Sequence, residues 1–199
     1  MAQSVYSFTV IGIDGQVVRI ETELLHGISS VSIIGLGDQA IKEAKERIEA
    51  AISNSYFDFP QYKVIINLAP GDMKKSGSSF DLGMAVGLLM ASNQLKIIDK
   101  NIKRIGFIGE LSLDGQIRPS NGVLPMVLKA REEGFKTIIL SRENVLEARL
   151  IDGIEIVGMD TLKNCVEYLK GKSVSITDLE LKESHEVAKE QPDFYDVKG

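Results

Sequence analysis

Apolar positions along the chain change period several times, and the changes mark out its elements. Val5 to Ile13 and Val17 to Leu24 are β-rich runs separated by Asp14-Gly15-Gln16, an Asp-Gly step that predicts an opening hairpin. A third run, Val31 to Leu36, ends in Gly35-Leu36-Gly37, after which Asp38 is placed to cap a helix whose Ile41, Ala44, Ile48 and Ile52 recur at helical spacing. The intervening Lys42, Glu43, Lys45, Glu46, Arg47 and Glu49 read as a solvated, mixed-charge outer face. Val64 to Leu68 is short and β-branched enough for a buried strand, and Phe80 to Ser92 carries a small-residue helix pattern.

Arg104 to Ile108 then leads into Gly109 to Pro119, a second hairpin pattern turning on Asp114-Gly115. Asn121-Gly122 precedes a helix from Val123 to Glu133, with Gly134 in the usual C-terminal place. Strand and helix alternate afterwards over Thr137 to Leu140, Glu143 to Leu150, Ile154 to Val157 and Thr161 to Leu169. Hairpins first and βα units later predict an α+β or mixed α/β domain over residues 1–172. Residues 173–199 are polar and acidic and read as a linker.

A chain of 199 residues that is 44% hydrophobic and 26% charged suffices for one good core. The net charge of −5 speaks against a stand-alone nucleic-acid binder, which carries a basic surplus. Most of the net negative charge is in the last segment, where Asp178, Glu180, Glu183, Glu186, Glu190, Asp193 and Asp196 stand against Lys182, Lys189 and Lys198, so the domain before it is nearly neutral. Cys165 is the single cysteine and falls at a core position of a helix pattern, which fits a reducing compartment. With His26 and His185 far from it and from each other, no metal-ligand spacing emerges. No run is long enough to span a bilayer and no secretory leader pattern opens the chain, so a cytoplasmic location without membrane contact is expected.

The candidate chemistry lies between the buried strand and the small-residue helix. Pro70-Gly71, Lys74-Lys75 and Ser76-Gly77-Ser78-Ser79 form a loop that brings cations and hydroxyls to a helix N-terminus, an arrangement that gathers backbone N–H groups around an anion or a nucleophile. The plainer reading is that Ser78 or Ser79 caps the helix. Gly171-Lys172-Ser173 invites a phosphate-loop reading, but Val166 stands where that motif needs its first glycine.

Lys75-Ser-Gly-Ser-Ser79-Phe-Asp81 and the hairpin from Gly109-Glu110 to Gly122-Val-Leu124 together resemble the proteolytic domain of Lon-type Ser–Lys peptidases, which implies the ribosomal protein S5 domain 2-like fold. In that resemblance Ser79 takes the nucleophile's place and Leu124 stands where the partner lysine belongs. A serine hydroxyl is a poor nucleophile at neutral pH without a positioned base, and leucine supplies none. No catalytic residue is therefore expected, and Leu124 is expected beside Ser79 as part of a dry surface. The alternative is a peptidase that uses Ser79.

A broader resemblance covers nearly the whole chain. Ile34 to Ser55, Phe59-Pro60, Ile66 to Pro70 and Phe80-Asp-Leu82 resemble the N-terminal domain of the magnesium-chelatase-like ComM/YifB competence proteins. Pro192 to Gly199 resembles the opening of that family's AAA+ ATPase module. The resemblance implies a non-peptidase, Lon-like domain for assembly and DNA guidance in a hexameric ATPase of DNA recombination or natural transformation. No cofactor is expected within these residues, while ATP and Mg would belong to the ATPase module beyond Gly199. DNA would be met through the full-length oligomer, with Lys74, Lys75 and Arg118 as candidate contacts. A magnesium-chelatase-like subunit is a further alternative.

Overall fold

The computed structural model describes residues 2–35, 37–73, 75, 77–97 and 104–172. The predicted linker, residues 173–199, lies outside them, as does Lys74. Strand β1 (Gln3–Ile11) and strand β2 (Asp14–Leu25) form the opening hairpin, followed by β3 (Ser30–Ile34), helix α1 (Gln39–Asn54), β4 (Lys63–Ala69) and helix α2 (Asp81–Ala91). The second part holds β5 (Ile105–Ile108), the short ribbon β6 (Glu110–Leu111) and β7 (Ile117–Arg118), and helix α3 (Val123–Glu132). It closes with β8 (Thr137–Ser141), a 3-10 turn running into α4 (Val145–Ala148), β9 (Glu155–Met159) and α5 (Leu162–Leu169).

Seven strands make one mixed sheet in the order β3-β4-β2-β1-β5-β8-β9. β2 is antiparallel to both its neighbours, and the β3–β4, β1–β5, β5–β8 and β8–β9 pairs are parallel. The architecture is a mixed α/β domain, with the hairpin elements preceding the βα units as their order in the sequence predicts. Helices cover both faces, and the period of the strands sorts the core between them. Ile105, Phe107 and Ile139 pack with the apolar faces of α1, α2 and α5, whereas Phe8, Ile108, Ile138 and Leu140 pack with α3 and α4.

Helix α2 is buried over all residues from Asp81 to Leu89, so it has no polar stripe. Its glycines let it lie close to the sheet. A Cβ at Gly83 would meet the Ile20 side chain at 2.8 Å, and one at Gly87 the Thr22 hydroxyl at 2.8 Å.

The opening hairpin differs from its sequence reading. Ile11 pairs with Asp14, so the turn is Gly12-Ile13 with Gly12 at φ +65°, and Asp14-Gly15 belongs to the strand. Gly15 serves tertiary packing: a Cβ there would sit 2.1 Å from the Pro125 carbonyl oxygen in α3. Asp114-Gly115 does turn the second ribbon, with Gly115 at φ +84°. Gly15→Ala is expected to push α3 off the sheet and lower stability by about 1–3 kcal/mol, as overpacking does; urea unfolding of the variant checks this.

Candidate functional site

An open cleft of about 270 Å³ lies at the C-terminal ends of the parallel neighbours β1 and β5. Its lining comes from four places far apart in sequence: Thr9 and Val10 near the end of β1, Gly77 to Ser79 before α2, Glu110 after β5, and Pro119 to Asn121 with Met126 around the start of α3. Ligand sites of α/β sheets form at such strand ends, where loops converge over a rigid floor.

The loop before α2 is held by buried polar contacts. The Lys75 side chain is fully buried, and its ammonium donates to the carbonyl oxygens of Gly35 at 3.1 Å, Met73 at 2.8 Å and Pro70. Three acceptors match the three donors of an ammonium. Burial lowers the Lys75 pKa from its ordinary value, with Asp72 pulling the other way. Asp38 joins the same loop to α1: its carboxylate accepts from the N–H groups of Ile41 and Gly77, each at 3.1 Å, and its own N–H donates to the Lys75 carbonyl at 3.1 Å. Asp38 thus caps α1 as its sequence position predicts.

Neither serine caps α2. Phe80 occupies the N-cap without a side-chain bond, and the first turn is closed by backbone instead, Asp81 N–H to the Ser78 carbonyl at 3.2 Å and Leu82 N–H to the Gly109 carbonyl at 3.0 Å. The Ser79 hydroxyl, in a residue only 7% exposed, donates to the Phe8 carbonyl oxygen at 3.3 Å. Ser78 donates to the Glu110 carboxylate.

Asp81 lies just beneath the cleft. It is fully buried and takes two bonds from Arg47, 2.7 and 3.2 Å long, and a third from the Leu111 N–H at 3.3 Å. Arg47 is therefore not on the solvated face of α1; its guanidinium turns inward and also donates to the Ala40 carbonyl at 3.0 Å. Burial pushes the Asp81 carboxyl up to about 6, against the lowering effect of Arg47 and Leu111 and with a small further rise from Glu110. The helix pattern hid this pair, because Arg47 sits among charged neighbours that do face water. The signal in the sequence was an acid at the head of an otherwise uncharged helix.

Leu124 does not line the cleft. α3 begins at Val123, so positions two apart point to different sides of the helix, and Met126 takes the cleft wall. The half-buried Leu124 offers its N–H to Glu147 at 3.3 Å instead. Lys129, farther along α3, pairs with Glu133 at 2.6 Å on the surface. Arg118 is exposed at the end of β7, whereas Lys75 has no free donor for a phosphate. Cys165 is a core residue, its thiol pushed up to about 12 by complete burial.

A family model described as "Subunit ChlI of Mg-chelatase" matches residues 20–144. The chain belongs to the Mg-chelatase ChlI-subunit family. An uncharacterized protein of Mycobacterium tuberculosis is 36% identical over 84% of this ChlI-family chain and 33% of its own length. Competence protein ComM of Haemophilus influenzae is 35% identical over 84% of the chain and 32% of its own length. The chain thus spans about a third of the length of these curated relatives. Lon protease 2 of Bacillus subtilis is 32% identical over 54% of the chain and 19% of its own length.

Among the described residues of this ChlI-family chain no group of three or more His, Cys, Asp and Glu is placed to hold a metal ion, and none of their helices is long and apolar enough to cross a membrane.

Arg47→Ala would leave the Asp81 carboxylate buried without its cation, a loss of about 3–5 kcal/mol in urea unfolding. In the intact protein the Asp81 proton is held more tightly than in the unfolded chain, whose aspartates titrate near about 3.9. Its contribution is full below that value and falls as pH rises through about 6, where the folded carboxyl ionises. Between about pH 4 and pH 7 the wild type is expected to lose about 1–3 kcal/mol relative to Asp81→Asn, which cannot titrate. Urea midpoints of both proteins across that range check the sign.

Proposed function

We propose that this chain is a Lon-like domain of the ribosomal protein S5 domain 2-like fold that has no peptidase function and serves assembly and DNA guidance in a ComM-like AAA+ ATPase. The whole protein would act in DNA recombination or natural transformation, with ATP and Mg bound by residues outside this chain. The observation that carries the non-peptidase reading is the lining of the cleft: among the described residues that form it there is no lysine or histidine, and Glu110 is the one ionisable side chain. Activating a serine requires a base within hydrogen-bond reach. The Ser79 hydroxyl donates instead to a peptide carbonyl, which takes no proton at neutral pH. Family membership and the likeness to ComM support the ATPase context, and the likeness to Lon supports the fold assignment.

The DNA-guidance part narrows to Lys74 and Arg118, because the Lys75 ammonium is bonded to carbonyls inside the loop. A single chain of net charge −5 has no basic surplus and binds DNA weakly, whereas six copies in a ring act together through effective concentration.

Ser79→Ala is expected to leave casein and peptide turnover at background, and turnover abolished by this variant would overturn the non-peptidase reading. Lys74→Glu combined with Arg118→Glu in the full-length oligomer is expected to weaken DNA binding and to flatten its salt slope by roughly 1 for each phosphate that is no longer neutralised. ATP hydrolysis without DNA should be unchanged. Filter binding over a salt series reads the slope, and an unchanged slope would leave the domain an assembly role alone.

A further inference from the structure

Strand β3 is an edge of the seven-stranded sheet, and among the described residues no strand pairs with its outer side. Edges are ordinarily blunted by lysine, proline or a bulge. β3 has none of these: residues 27–37 contain no charged residue and no proline, in a chain whose net charge is −5. The opposite edge differs, since β9 carries Glu155, which accepts from Thr137 at 2.8 Å, and its last three residues are buried.

The geometry of β3 suits the addition of a strand. The Ser30 N–H donates to the Tyr62 carbonyl at 3.3 Å, so the backbone groups of Ser30, Ser32 and Ile34 face β4. Alternation then turns those of Val31 and Ile33 outward. The side chains of Ser30, Ser32 and Ile34 are exposed, Ile34 by 52%, and Ile28 just before the strand is 91% exposed.

We propose that β3 pairs edge to edge with β3 of a second copy of this chain, antiparallel, about a two-fold axis at Val31. The strand is self-complementary in that register. Val31 meets its own counterpart as a hydrogen-bonded pair, Ser30 lies opposite the second copy's Ser32, and Ile28 lies opposite the second copy's Ile34. The even-numbered residues of β3 share one face, and extension of the bend before the strand on pairing would bring Ile28 onto it beside the second copy's exposed Ile34, an apolar pair at each end of the new ladder. Residues 27–37 carry no charge, so two copies meet at this edge with no like charges set opposite one another. A two-fold contact is distinct from the head-to-tail contacts of a cyclic ring, so this pairing stands or falls apart from the hexamer proposed above.

Sedimentation of the 199-residue chain over a concentration series tests it. A monomer–dimer equilibrium is expected, with a dissociation constant raised about tenfold or more by Ser32→Lys, which sets a charge beside the axis and leaves the bonds to β4 intact. Register is read by cysteines that replace serine with little change of volume. Ser30→Cys and Ser32→Cys proteins should form a disulfide when mixed and oxidised and not when oxidised separately, and buried Cys165 does not compete. A wild type that stays monomeric at millimolar concentration, a dimer indifferent to Ser32→Lys, or cross-linking within the separate variants would overturn the proposal.

Discussion

Burying the Asp81 carboxylate at the head of α2 constrains most of what surrounds it. A charge in that position is tolerable only if it is paired and hydrogen-bonded. The pairing comes from Arg47 on α1 and the hydrogen bond from the Leu111 N–H on β6. One side chain therefore fixes the distance between the two helices and draws the β6–β7 ribbon against the start of α2. The backbone repeats the connection, with Gly109 N–H donating to the Ser79 carbonyl and Leu82 N–H to the Gly109 carbonyl, both at 3.0 Å. The cleft above owes its shape to these bonds, because they hold in place the serines on one wall and Glu110 on another.

Lys75 plays the matching part on the other side of the loop. Its ammonium draws together carbonyls from the end of β3 and from the loop itself, and Asp38 ties that loop to the first turn of α1. A lysine in a Gly/Ser loop ahead of a helix suggests a hand reaching for phosphate. Here the same residue type works as an internal clamp, and the cost of desolvating it is met by three carbonyl acceptors. The loop is thus built around a buried lysine whose donors are taken by carbonyls, and the cleft beside it has no lysine or histidine among its described lining residues.

Homology and geometry bear on different properties of the protein. Membership of the ChlI-subunit family rests on residues 20–144 and needs no side-chain geometry. The non-peptidase proposal rests on side-chain geometry, since the likeness to Lon protease 2 would by itself suit an enzyme equally well.

Hydrophobic period determined the elements of this protein. The buried strand, the small-residue helix, the Asp38 cap, the Asp114-Gly115 ribbon and the later alternation of strand and helix were all legible, because each follows from local spacing or from a short-range bond. What the sequence could not determine was the direction in which individual polar side chains turn. Arg47 and Lys75 lie among charged or polar neighbours and look solvated, yet both are drawn inward by partners 34 and up to 40 residues away. Asp14-Gly15 reads as a turn, but Gly15 answers to a carbonyl of α3 brought beside it only when the sheet is complete. Ser79 and Leu124 stand at the right intervals for a peptidase pair, and the start of α3 puts Met126 rather than Leu124 on the cleft wall. The physical reason is common to all of these: a single buried charge or close approach is decided by which distant groups can satisfy or exclude it, and that information exists only once the chain has folded.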